Sequence, residues 1–182
     1  MTYITYGHNF WTQPQKQPKT EKCHEEVEKC VAENGKLLVD ECPYLNAVLL
    51  ENLRFRPVAD SLPHVCIQNT DIEGCFIKKG SIVVASLSAV MHNPQNFLEP
   101  GVFKPERFFV DGKFHKNPLV CPFSVGLRNC LGKRLAEIEY FTFAAQIIHK
   151  FKISSNEPID LEPISHQLLL TPPETKLIFT PR

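Results

Sequence analysis

Cys130 is the residue of this chain best placed to do chemistry as a thiolate. It lies between a turn-rich segment, residues 121–129, and a stretch from 131 to 151 that contains no Pro and, after Gly132, no Gly. Apolar residues recur there at helical spacing, with Leu131, Leu135, Ile138, Phe141, Ala145 and Ile148 on one stripe and Tyr140, Ala144, Ile147 and Phe151 beside it. A helix so broadly apolar is expected to be buried in a core, with Cys130 at its N-terminus. Free backbone N–H groups and the positive end of the helix dipole favour an anion there, and draw a thiol toward the thiolate that binds metals or attacks electrophiles. Alone, a cysteine at a helix start is more often a small buried hydrophobe. Its neighbours argue for a ligand: Gly126 supplies a turn, Gly132 leaves room for a flat molecule, Phe123 offers an aromatic face, and Arg128 offers a fixed fork for a carboxylate.

A second constellation is Glu51 and Arg54, at helical i, i+3 spacing within a predicted helix over residues 43–55. Such pairs are usually exposed and contribute tenths of a kcal/mol. Here Tyr44, Ala47, Val48 and Phe55 share the Glu51 face, and Leu45, Leu49, Leu50 and Leu53 fill the rest, so a buried pair is the better reading. Buried charges need full pairing, and a third charged partner is therefore expected.

The run Phe123-Ser-Val-Gly126-Leu-Arg128-Asn-Cys130-Leu-Gly132, followed by Ala136, resembles the heme-binding loop of the cytochrome P-450 family, the heme-thiolate monooxygenases, with every defining position filled. The resemblance implies heme b (iron protoporphyrin IX) with Cys130 as the axial iron ligand and catalytic thiolate, in a cradle of His64, Phe123, Gly126, Arg128 and Gly132. Thiolate ligation in this family pushes electron density onto iron and favours O–O cleavage. It further implies that Arg107, in Pro105-Glu106-Arg107-Phe108, completes a structural network with Glu51 and Arg54. His64, after Pro63, and Arg128 are implied as propionate partners, two charge-assisted anchors that orient the heme.

The implied fold is mainly α with small antiparallel β-sheets (α+β): the C-terminal, proximal part of the cytochrome P-450 fold, incomplete. Residues 1–19 are an irregular segment, and residues 20–182 the C-terminal portion of a single domain. No acid-Thr helix of the kind that gates oxygen in the family occurs, nor any membrane anchor, so this chain has no anchor of its own. A full-length protein is expected on the cytosolic face of the endoplasmic reticulum membrane. It would take O2, a lipophilic small-molecule substrate and electrons from an NADPH-dependent reductase docking near Lys133 and Arg134, which read equally as solubilising surface charges. By the same resemblance, residues 58–62 and 168–173 line the substrate pocket.

Composition sets the frame. The 182 residues are 43% apolar, with formal net charge zero, enough to bury one core. Balanced charge without aromatic-basic interleaving points to no nucleic-acid partner. The longest apolar run, residues 82–91, is too short to span a bilayer, and residues 1–11 lack signal-peptide grammar. Seven cysteines, none in a C-x-x-C pair, argue against a disulfide scaffold or zinc module and fit reduced thiols.

The positioning elements follow in order. Residues 13–19 read as a loop and residues 20–32 as a charged helix stopped by Gly35, with His24 on a solvated face. Asp40 is expected to cap the helix over 43–55. Residues 65–68, 75–78 and 81–86 read as strands of a small antiparallel sheet, 89–93 as a helical turn, and Asp111-Gly112 as a turn. Residues 152–155 and 176–180 are expected to pair as a terminal hairpin with 168–173 at its bend.

Two other classes of function compete. One is a truncated, non-catalytic product or incomplete gene model that binds heme weakly or acts as an interaction module. The other is a thiol enzyme with Cys130 as nucleophile, which needs a general base; His115 and His149 are available, without a local Cys-His pattern around either.

Overall fold

The computed structural model describes residues 17–157, 164–166 and 169–182. Helix α1, Gln17–Asn34, begins inside the stretch expected to be loop, and Pro18 sits in its first turn, where a missing N–H leaves no helical bond unmade. Residues 1–16 lie outside the described residues. Gly35, at φ 67°, ends the helix by donating its N–H to Val31 O (2.8 Å). The thin apolar stripe is buried: Cys23, Val27 and Cys30 pack in the core. His24 is half-buried there, not solvated, because α1 turns that flank toward the last helix.

Helix α2, Pro43–Phe55, has the expected bounds, with Pro at its first position. Asp40 does not cap it. Asp40 lies in a separate 3-10 turn, Val39–Glu41, and the cap residue Cys42 makes no side-chain bond to the helix. Glu26 of α1 does that work: its carboxylate accepts from Tyr44 N (2.9 Å) and Leu45 N (2.8 Å), the first two free donors after Pro43.

The strands form separate two-stranded antiparallel ladders. β1, Ser61–Val65, pairs with β4, Ile82–Ser86, and encloses the hairpin of β2, Thr70–Ile72, with β3, Cys75–Ile77. The first strand thus precedes the expected 65–68 and runs through Pro63. In a two-stranded ladder each strand has a free edge, so Pro63 can lie opposite Val84 without forfeiting a ladder bond. Helix α3, Leu87–Met91, starts at Ser86, whose Oγ accepts from Ala89 N (3.2 Å). Asp111 and Gly112, both at positive φ, turn β5, Phe109–Val110, into β6, Lys113–Phe114.

Helix α4, Lys133–Lys150, begins two residues later than the apolar pattern, at the cap residue Gly132. Only Tyr140, Phe141, Ala144, Ala145 and Ile148 are buried; Leu131 is fully exposed, Leu135 is 62% exposed and Ile138 51%. The expectation of a wholly buried helix is therefore corrected. α1 and α2 cover one face of its C-terminal half, and the described residues put nothing comparable on the rest. β7, Phe151–Ser154, pairs with β10, Ile178–Pro181, as the terminal hairpin. Its bend holds two further strands, β8, Ile164–His166, and β9, Leu169–Thr171. The core joins α1, α2, α4, Phe123 and Ile153 of β7.

Candidate functional site

The loop before α4 is held by its own backbone. Cys130 N donates to Phe123 O (2.8 Å), Asn129 N to Gly126 O (3.2 Å) and Ser124 N to Cys121 O (3.0 Å). A 3-10 turn, Gly126–Arg128, forms the tip. Gly126 takes φ 76° and Ser124 φ 63°, a left-handed conformation that costs a non-glycine residue about 1–2 kcal/mol. Strain of this kind persists where surrounding bonds over-determine it. Cys130 is not in the helix: it precedes the cap Gly132, and its carbonyl accepts from Lys133 N (3.3 Å).

Phe123 is buried under the loop, whereas Cys130, Val125, Leu127 and Leu131 are exposed. The sulfur thus stands on an open apolar ledge. A Cβ on Gly132 would meet Cys130 Sγ at 4.0 Å, and one on Gly126 would meet nothing. The first glycine keeps the approach to sulfur clear, and the second is required by its backbone angle. Arg128 is exposed and makes no ion pair among the described residues. His64 sits on β1, exposed, with Nδ1 3.3 Å from Leu62 O.

Three other thiols, Cys23, Cys42 and Cys121, are poorer candidates for a thiolate. Burial pushes Cys23 and Cys121 up, and Cys42 up to about 12, with the neighbouring Cys30 adding to the last. All seven cysteines are free. Among the described residues no group of three or more His, Cys, Asp or Glu is assembled to hold a metal ion. His149 lies at the far end of α4, some 25 Å along the axis by helical rise, and faces Glu28 (2.9 Å). A Cys-His nucleophile is not formed there.

The charged pair on α2 is wholly buried. Arg54 Nε and Nη2 donate to the two Glu51 oxygens at 2.8 and 2.9 Å, and Nη1 donates to Met91 O (2.9 Å). Glu51 Oε1 also accepts from Arg107 Nε (3.2 Å) and Lys104 N (2.8 Å). Arg107 carries the contact outward, donating to Leu98 O (2.7 Å), Val102 O (2.9 Å) and Glu99 O (3.3 Å). Glu51, Arg54 and Arg107 thus tie α2 to the segment 98–108. Glu26 is a residue the sequence reading missed. Its place on the Cys23, Val27, Cys30 stripe was the available signal, since a glutamate facing a core needs buried donors. Burial raises its carboxyl pKa, against the lowering effect of the two N–H bonds. The two stretches proposed for substrate also meet, with Leu170 N donating to Val58 O (2.8 Å) and Ala59 bridging Leu169. Residue 168 of that bend lies outside the described residues.

The family model "Cytochrome P-450" matches residues 15–179. Cytochrome P-450 2E1 of Sus scrofa is 38% identical over 170 residues, covering 89% of this chain and 34% of its own length. Farnesoate epoxidase of Bombyx mori is 34% identical over 169 residues, covering 88% and 34%. Among solved structures, a zebra fish cytochrome P-450 with progesterone superposes at TM-score 0.87 and 31% identity, over 100% of this chain and 42% of its own. This chain therefore spans about a third of the length of the curated relatives it matches. Fold, loop and relatives agree on one conclusion: the chain belongs to the cytochrome P-450 family.

Proposed function

We propose that this chain is the proximal, heme-binding part of a cytochrome P-450 monooxygenase, with Cys130 as the axial thiolate ligand of heme b. The observation that carries the reading is the exposed Cys130 on a loop whose neighbours Val125, Leu127 and Leu131 are exposed and apolar, with Gly132 placing no side chain beside the sulfur. A flat, largely apolar ring whose centre takes one sulfur ligand fits that surface. Arg128 and His64 would hold the propionates, Arg128 by a fork that matches a carboxylate. When bound, heme supplies the redox iron at which O2 is activated to insert one oxygen atom into a lipophilic substrate.

The chain's own residues serve by position. The backbone bond from Cys130 N to Phe123 O fixes the direction of the sulfur, and the buried Glu51–Arg54–Arg107 network fixes the layer that the loop rests on. Residues 20–182 would be one part of a single domain. An NADPH-dependent reductase would dock beside exposed Lys133 and Arg134, and a longer product would act on the cytosolic face of the endoplasmic reticulum membrane. Among the described residues no helix is long and apolar enough to cross a membrane.

A second reading, a heme-binding or interaction module without turnover, is favoured by the exposed apolar flank of α4 at Leu135, Ile138 and Phe143. Absorbance spectra of the heme-titrated chain separate these readings. Thiolate ligation gives the red-shifted band of the reduced carbon monoxide complex, and Cys130→Ser removes it. Survival of the band in that variant would exclude Cys130 as the ligand. Oxygen-dependent product formation with an added reductase then distinguishes enzyme from module.

A further inference from the structure

Helix α2 buries three polar side chains, Glu51, Asn52 and Arg54. Glu51 and Arg54 hold the segment 98–108. Asn52 points elsewhere: its Nδ2 donates to the Tyr140 hydroxyl of α4 at 2.6 Å, with both residues buried. Around this bond the two helices share an apolar core that includes Leu49, Leu53, Phe141 and Ala145. Apolar contact sets how closely two helices lie but has no preferred direction, whereas a hydrogen bond of this length tolerates little sliding.

We propose that Asn52 and Tyr140 are positioning residues for the thiol, their bond fixing the height of α4 along α2 and, through it, the place of Cys130. This role rests on Cys130 as the heme ligand. Tyr140 lies about 10 Å along the axis from Lys133 by helical rise, and the helix is continuous between them. The loop is bonded to the start of α4, with Lys133 N donating to Cys130 O (3.3 Å) and Ala136 N to Gly132 O (2.9 Å). A slip at Tyr140 is therefore passed to the loop. On its other side the loop is anchored by Phe123, which is buried in the same core. The bond from Cys130 N to Phe123 O (2.8 Å) spans the two anchors, so a slip of α4 breaks it first. Since Asn52 adjoins Glu51, the buried charged network and the thiol loop are joined through one side-chain amide.

Hydrogen exchange of the full chain without heme tests the geometry. Tyr140→Phe strands the buried Asn52 donor and so lowers stability as well as register. The double variant Asn52→Leu with Tyr140→Phe replaces both ends of the bond by apolar groups of similar shape, and its urea midpoint is expected to return toward that of wild type. The directional bond stays lost, so in the double variant the Cys130 amide is expected to exchange about tenfold faster while amides in the middle of α1 keep the wild-type rate. An unchanged Cys130 amide, or an acceleration shared equally by α1, overturns the proposal. Absorbance of the heme-loaded chain separates this from the ligand assignment. A wild-type chain without the red-shifted carbon monoxide band refutes Cys130 as the ligand, and with it the role of the pair toward heme, whatever the exchange rates. Where wild type shows the band, the double variant is expected to lose part of its red-shifted intensity, and an undiminished band overturns the proposal.

Discussion

Glu51 and Arg54, one turn apart on α2, are both fully buried and meet through two parallel hydrogen bonds of 2.8 and 2.9 Å. A pair at that spacing on a helix surface contributes tenths of a kcal/mol. This one is the hub of a network that reaches Met91 O, Lys104 N and Arg107, so removing one member strands a charge where water cannot reach it.

Arg54→Ala is therefore expected to cost about 3–5 kcal/mol, the penalty for an uncompensated buried charge, and so a large part of a domain's stability. Urea unfolding monitored by circular dichroism measures it. A variant that unfolds within about 1 kcal/mol of wild type would contradict the buried geometry.

Three carboxyls predict opposite pH responses. Burial raises the Glu26 pKa above its ordinary 4.5, so the stability linked to its protonated form is present below about pH 4.5 and is lost as pH rises through the folded value. Glu106 is lowered: burial alone would raise it, but the bond from Lys19 and that from the Tyr44 hydroxyl prevail. Glu21 is lowered chiefly by its bond from Arg182. Their contributions are present above pH 4.5 and are lost as pH falls through the folded values. In a series of unfolding midpoints from pH 3 to 7, Glu26→Gln should gain on wild type with rising pH, while Glu106→Gln should gain with falling pH. Parallel curves for the two variants would contradict the assignment.

Gly126→Ala tests the loop. No atom lies within 4 Å of the added methyl, so the effect comes from holding φ 76° with a Cβ, about 1–2 kcal/mol. Heme affinity of the chain should fall through a less ordered loop, as read by an absorbance titration. Gly132→Ala, at ordinary φ, acts instead by placing a methyl against Cys130 Sγ, and its first sign should be a shifted carbon monoxide band with little loss of stability.

Much of the architecture was legible locally. The Pro43 start of α2, the Gly35 stop of α1, and the Asp111-Gly112 turn follow from backbone rules acting within a few residues. The loop from Phe123 to Gly132 was legible as well, because its order of Gly, Arg, Cys and Gly is specific on its own. Local rules failed where partners are distant in sequence. The cap on α2 comes from Glu26 on another helix and not from nearby Asp40. Pro63 sits inside a strand because the ladder has two strands, which the run of residue types around it does not reveal.

The sequence by itself determined which residue types stand at the thiol loop, the bounds of α2 and the Gly35 stop of α1, since those depend on neighbouring dihedral angles and hydrogen bonds. Tertiary structure alone decided that Cys130 is open while Cys23, Cys30 and Cys42 are shut in, and that α4 buries one stripe and exposes another. Both sets of residues have the same side-chain chemistry. Their exposure depends on which surfaces α1 and α2 bring against them, a long-range outcome that no residue's immediate neighbours encode.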